Sequence, residues 1–264
     1  MEKTTPLFIL ATAAAYIFLY PSDTTLFNDS IPPIFDKISI ILIWALFSFC
    51  FKYLNGIDGI ISIQTTTIAG GLMILYFIDA SPLMLCIFST ILLGASLSFL
   101  TFNLHPSYLR LTNGACQALG FIIAWLLVKL IPEQSVTCGL VLSTYFICEC
   151  IFALFQAALP QNKDKNIYKY TSYHMAVSSG LKASDTAYSI MKITALLIIL
   201  SGFQAFSANT FSIPALACVT SIWFMHRLIN WKDGTKSLKE INKDFISDVK
   251  ENIDDIKKQI TKDK

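Results

Sequence analysis

Asp58 is the lone carboxylate of a short run, Asn55-Gly56-Ile57-Asp58-Gly59-Ile60, at the junction of two apolar stretches. Two later runs carry further reactive groups: Leu109-Arg110-Leu111-Thr112-Asn113-Gly114 and Tyr173-His174-Met175. The oxygens of Asp and Asn can touch a hard divalent cation, an imidazole can move a proton, and Lys52 and Arg110 offer positive charge to a phosphate. Each group also has a plain alternative. A Gly-x-Asp-Gly turn occurs wherever a loop needs positive φ. A lone loop histidine is commonly just solvated, and Lys52 and Arg110 equally read as anchors on the positive side of a membrane. No glycine-rich nucleotide loop, no Ser-His-Asp order worth defending and no nucleic-acid signature occurs in the chain.

The elements that would hold these residues are apolar. Of 264 residues 54% are hydrophobic and only 14% charged, with a mean hydropathy of +0.58, which excludes an ordinary soluble domain. The fold class expected is all-α: a polytopic membrane protein. A helix needs roughly 20 apolar residues to cross a hydrocarbon core. Eight runs qualify or nearly so, at 6–20, 35–54, 60–78, 83–101, 116–132, 136–158, 187–206 and 212–229. The first reads as an uncleaved span, since no small-x-small cleavage pattern precedes Pro21. The transmembrane domain is therefore taken as 1–231 and a helical tail as 232–264.

Lys3, Lys52, Arg110, Lys163, Lys165, Lys169, Lys182, Arg227 and Lys232 fall on one side of this layout, which predicts cytoplasmic termini and cytoplasmic site loops. In the tail, Leu238, Ile241, Phe245, Val249, Ile253, Ile256 and Ile260 form one stripe at helical spacing. That stripe fits a helix lying on the bilayer or a short coiled coil with another copy. The seven cysteines, an odd number, read as small apolar packing residues rather than a disulfide framework. Glu149 lies near the middle of the span 136–158, where an ionisable residue is a functional candidate by default. The alternative is a carboxyl hydrogen-bonded to a neighbour, with Ser143 or Thr144 one turn earlier as the expected partner.

Taken together, three segments resemble the polyprenyl-phosphate N-acetylhexosamine-1-phosphate transferases of glycosyltransferase family 4. Asn55-Gly56-Ile57-Asp58-Gly59 is similar to that family's Asp-Gly-x-Asp-Gly turn, and Phe102-Asn103-Leu104-His105-Pro106 to its Phe-Asn-x-x-Pro loop. Thr112-Asn113-Gly114-Ala115-Cys116 resembles its Gly-Asp-x-Gly-Ser turn, and Thr171-Ser172-Tyr173-His174 its His-x-His-His cluster. The resemblance implies transfer of a sugar phosphate from a UDP-sugar to a polyprenyl phosphate. It also implies a Mg²⁺ cofactor, a bacterial cytoplasmic membrane and a role in cell-envelope biogenesis. By it, Asp58 and His174 take the catalytic positions, Asn55, Lys52 and Arg110 the substrate-binding ones, and Asn113 the place of a magnesium-ligating Asp.

The departures from the pattern decide the functional expectation. Two motif Asp positions hold Asn55 and Asn113, two His positions hold Thr171 and Tyr173, and no Asp-Asp pair lies in a membrane loop. The chain resembles the last eight spans of a longer architecture. Removing full negative charges from a divalent-ion site near low dielectric is worth several kcal/mol. The expectation is therefore a pseudoenzyme with impaired or no catalysis. The alternatives are a scaffold or regulatory subunit, pairing through the tail with another copy or with a full-length relative, and a transporter or channel.

Overall fold

The computed structural model describes residues 32–130, 136–159, 166–207 and 211–231. Among these the chain is helical: α1 Pro33–Tyr53, α2 Ile60–Phe77, α3 Leu83–Asn103, α4 Asn113–Val128 and α5 Val136–Ala158. A 3₁₀ turn at Ile167–Tyr170 and the short α6 Ser172–Ser178 follow, then α7 Ala183–Phe206 and α8 Ser212–Ile229. Local chemistry sets the boundaries. Pro33 opens α1 at a position whose N–H has no intrahelical acceptor. The Thr112 hydroxyl accepts from the Ala115 N–H at 3.3 Å, so α4 starts three residues before its apolar run. Gly59 sits at φ +88° just ahead of α2, a conformation other residues rarely adopt.

The helices pair as α1 with α4, α2 with α3 and α7, and α5 with α7 and α8. α2 is central: Ile61, Ile63, Ile68, Leu72 and Leu75 are all at most 2% exposed. α3 and α8 lie at the rim, where Ile87, Ile91, Val219, Ile222 and Trp223 turn outward as lipid-facing side chains should. Polar side chains cross-link the bundle. The Trp44 indole N–H donates to the Phe121 carbonyl at 3.0 Å and the Ser48 hydroxyl to that of Gln117 at 2.8 Å, joining α1 to α4. Thr67 and Thr194 join α2 to α7 at 3.1 Å. Gly120 of α4 packs so closely on α1 that a Cβ there would lie 2.8 Å from that of Phe51.

Six of these helices are long and apolar enough to cross a membrane, as an integral membrane protein requires. α4 is apolar but has 16 residues, about 24 Å at 1.5 Å per residue. Seven of the eight expected spans are thus helices, α4 shorter than the rest; the first, at 6–20, and the tail helix at 232–264 lie outside the described residues. One expectation is corrected. Cys50 of α1 and Cys150 of α5 form a disulfide, so they are not the packing thiols their composition implied. An odd count left room for one pair, and Cys86, Cys116, Cys138, Cys148 and Cys218 remain free.

Candidate functional site

Three chain segments meet at one end of the bundle: the α1–α2 loop, the α3–α4 loop, and the stretch from the 3₁₀ turn through α6. Asn103, the last residue of α3 and 4% exposed, joins the first two. Its carbonyl oxygen accepts from the Gly59 N–H at 3.1 Å and the Ser62 hydroxyl at 2.8 Å. Its amide donates to the Leu109 carbonyl at 2.7 Å. Asn55 makes a second tie, its amide donating to the Leu111 carbonyl at 3.1 Å. An aspartate at position 55 could not make that bond, because an ionised carboxylate only accepts.

With the loops fixed, Asp58 and Arg110 face each other. The Arg110 Nε lies 3.1 Å from the Asp58 Oδ1 and its Nη2 3.5 Å from the Oδ2. His105 Nδ1 is 3.6 Å from the same Oδ2. The carboxylate is recessed, at 16% side-chain exposure, beneath a guanidinium at 78%. Asn113 is exposed at the start of α4, a helix end of partial positive charge. Lys52 lies in the last turn of α1 with its ammonium 5.7 Å from the Tyr53 ring.

The third segment is anchored from below. Glu149 of α5, 1% exposed, accepts from the Ser172 backbone N–H at 3.1 Å and from the Tyr145 hydroxyl at 2.9 Å. The Ser172 hydroxyl also donates to Glu149. Its partners are therefore not Ser143 and Thr144, whose hydroxyls donate to the carbonyls of Gly139 and Leu140 within their own helix. This carboxylate fixes the start of α6, the element that carries His174. Tyr173, next in sequence, donates its hydroxyl to the Leu54 carbonyl, and the Tyr168 side chain lies against Gly56. Burial first, and the Glu149 charge second, push the Tyr173 phenol well above its ordinary range, so it remains a donor.

His174 meets the Tyr168 ring edge-on, with centroids 5.4 Å apart. Desolvation, and then the nearby Lys169 charge, lower its affinity for a proton below the ordinary value of 6.5. Among the described residues it makes no hydrogen bond or ion pair with Asp58; its neighbours Tyr168 and Tyr173 touch the first loop. Asn103, His105, Ser172 and Tyr173 also knit the site; the sequence placed them within the motif segments but gave them no role there. Asn103 was legible as a polar residue ending an apolar helix before a loop. The others depend on contacts between segments distant in sequence.

Magnesium takes several hard oxygen ligands in near-octahedral geometry. Among the described residues no group of three or more His, Cys, Asp or Glu could hold a metal ion, Asn55 and Asn113 are neutral, and the Asp58 carboxylate is engaged by the Arg110 guanidinium. These residues do not fit a Mg²⁺ site. Beside them, a cavity of 340 Å³ with an almost wholly apolar lining opens between α2, α3 and α4, with Leu111 and Ala115 on its wall.

A helical membrane bundle gathering three polar loop segments at one end defines a polytopic membrane protein with a loop-borne site. Residues 3–131 match the model of the family described as Glycosyl transferase family 4, which supports that family for this chain. The match includes the first two site segments and stops before the third. The chain is also 30% identical over 150 residues to a phospho-N-acetylmuramoyl-pentapeptide-transferase of Staphylococcus haemolyticus (strain JCSC1435). That stretch is 56% of this chain and 45% of the relative, so the match spans less than half of the relative's length.

Proposed function

We propose that the chain keeps the frame of a transferase that moves N-acetylhexosamine-1-phosphate from a UDP-sugar to a polyprenyl phosphate, with phosphoryl transfer impaired or absent. One observation carries this reading: the single motif carboxylate, Asp58, is occupied by Arg110 at 3.1 Å. The amide of Asn55 serves as a loop tether, and Asn113 is neutral. Transfer from a nucleotide diphosphate needs the pyrophosphate charge held by metal ions and the nucleophile brought in line. A shortfall of about 4 kcal/mol in transition-state stabilisation slows a reaction roughly a thousandfold. The test is UMP release by the purified chain with Mg²⁺, a polyprenyl phosphate and UDP-N-acetylhexosamine. Background release supports the reading; sustained turnover overturns it.

Glu149, on which the transporter or channel alternative drew, bonds to Ser172 and Tyr145, and we favour the transferase frame over that alternative. A chain that recognises these ligands without turnover would act as a regulatory or scaffolding subunit. Crosslinking in native membranes tests this: a strictly monomeric pattern removes that role.

A further inference from the structure

The misfit with a divalent ion has a positive counterpart. Arg110 brings a guanidinium to the carboxylate of the turn that resembles the family's Asp-Gly-x-Asp-Gly. Its Nε–H donates to Ser107 Oγ at 3.3 Å while Nε lies 3.1 Å from the Asp58 carboxylate, and its Nη2 donates to Asp58 Oδ2 at 3.5 Å. The Nη1 hydrogens and one on Nη2 are left over, on a side chain that is 78% exposed. His105, 48% exposed, adds a second nitrogen on the same side of the carboxylate. The neutral Asn55 and Asn113 remove the repulsion that aspartates there would exert on an anion. A guanidinium with open N–H groups above a recessed carboxylate is a phosphate-binding arrangement.

We propose that Arg110, held by Asp58, supplies the positive charge a divalent ion would otherwise bring, making these loops a metal-independent site for a phosphate-bearing anion. The inference rests on the family reading of these loops and adds to it the charge that replaces the metal. The phosphate can belong to a nucleotide or to a lipid headgroup, and the probes below separate the two.

The full chain, in nanodiscs of neutral phosphatidylcholine, is titrated with UDP. In parallel it is titrated with phosphatidic acid carried in phosphatidylcholine nanodiscs. Both series are run in EDTA and again with Mg²⁺. The expected result is saturable binding of at least one probe that EDTA leaves unchanged; UDP alone assigns a nucleotide, phosphatidic acid alone a lipid. Arg110→Ala lowers the affinity about tenfold, the loss of one charge-assisted contact. Asp58→Asn raises it severalfold, because the guanidinium is no longer neutralised. Opposite responses of the two variants cannot come from a shared folding defect. Binding that needs Mg²⁺, weakening by Asp58→Asn, or no saturation with either probe overturns the proposal. UMP release reports on the transferase reading separately: turnover refutes that reading, whereas absent binding without turnover refutes only this one.

Discussion

Replacing Glu149 with alanine tests how the third segment is held. The carboxylate is 1% exposed and receives three donors: the Ser172 N–H at 3.1 Å, the Ser172 hydroxyl and the Tyr145 hydroxyl at 2.9 Å. Ser172 and Tyr145 are themselves buried, so water cannot replace the lost acceptor. Each orphaned buried donor costs about 1–3 kcal/mol. Three such donors, partly relieved by rearrangement of the two hydroxyls, set a total of about 3–5 kcal/mol. The Ser172 N–H opens α6 and has no acceptor within its own helix, so the loss concentrates there. Glu149→Gln keeps one acceptor oxygen and is expected to cost about 1–2 kcal/mol. Thermal unfolding in detergent measures the total, and hydrogen exchange over residues 166–178 locates it. The expected outcome is a marked loss of protection at α6 in Glu149→Ala, smaller in Glu149→Gln, with α2 protected in both. Stability within about 0.5 kcal/mol of the native chain, the usual scale of a surface substitution, together with unchanged exchange at α6, refutes the reasoning.

Asn103→Ala strands the Gly59 N–H, the Ser62 hydroxyl and the Leu109 carbonyl; a loss of about 2–4 kcal/mol is expected in detergent unfolding. Asn55→Asp turns a donor into an acceptor opposite the Leu111 carbonyl, so it should cost about 1–2 kcal/mol and leave UMP release at background. The lowered His174 proton affinity means the unfolded chain binds its proton first. Its contribution to stability is therefore complete above pH 6.5 and declines as pH falls from there to the folded-state value. A histidine NMR titration should place His174 below 6.5, and Lys169→Ala should raise it only in part, since burial is the larger cause.

The long apolar runs made the bundle readable, because each span needs a continuous hydrophobic stretch and polar junctions mark where it ends. Boundaries set by single side chains were less visible: α4 starts at Asn113 because Thr112 caps it, not because its residues become apolar. The seven-residue α6 is too short to show a period, and what secures it is Thr171 at its cap and Glu149 from another helix. For the site, Asp58, Arg110 and Asn55 stood out by type and place. Their pairings did not, because Asp58 meets Arg110 across 52 positions only after Asn103 has docked the loops. Asn55 read as a missing carboxylate, while the geometry gives its amide hydrogens a bond that a carboxylate lacks.

The central claim is electrostatic: a guanidinium occupies the one carboxylate left among the motif positions, so these loops hold no divalent cation. Its most direct measurement is Mn²⁺ binding, with Mn²⁺ as a paramagnetic stand-in for Mg²⁺, followed by electron paramagnetic resonance on the purified chain in neutral nanodiscs. The account predicts no saturable uptake beyond that of empty nanodiscs. A stoichiometric Mn²⁺ signal that Asp58→Asn abolishes would contradict it.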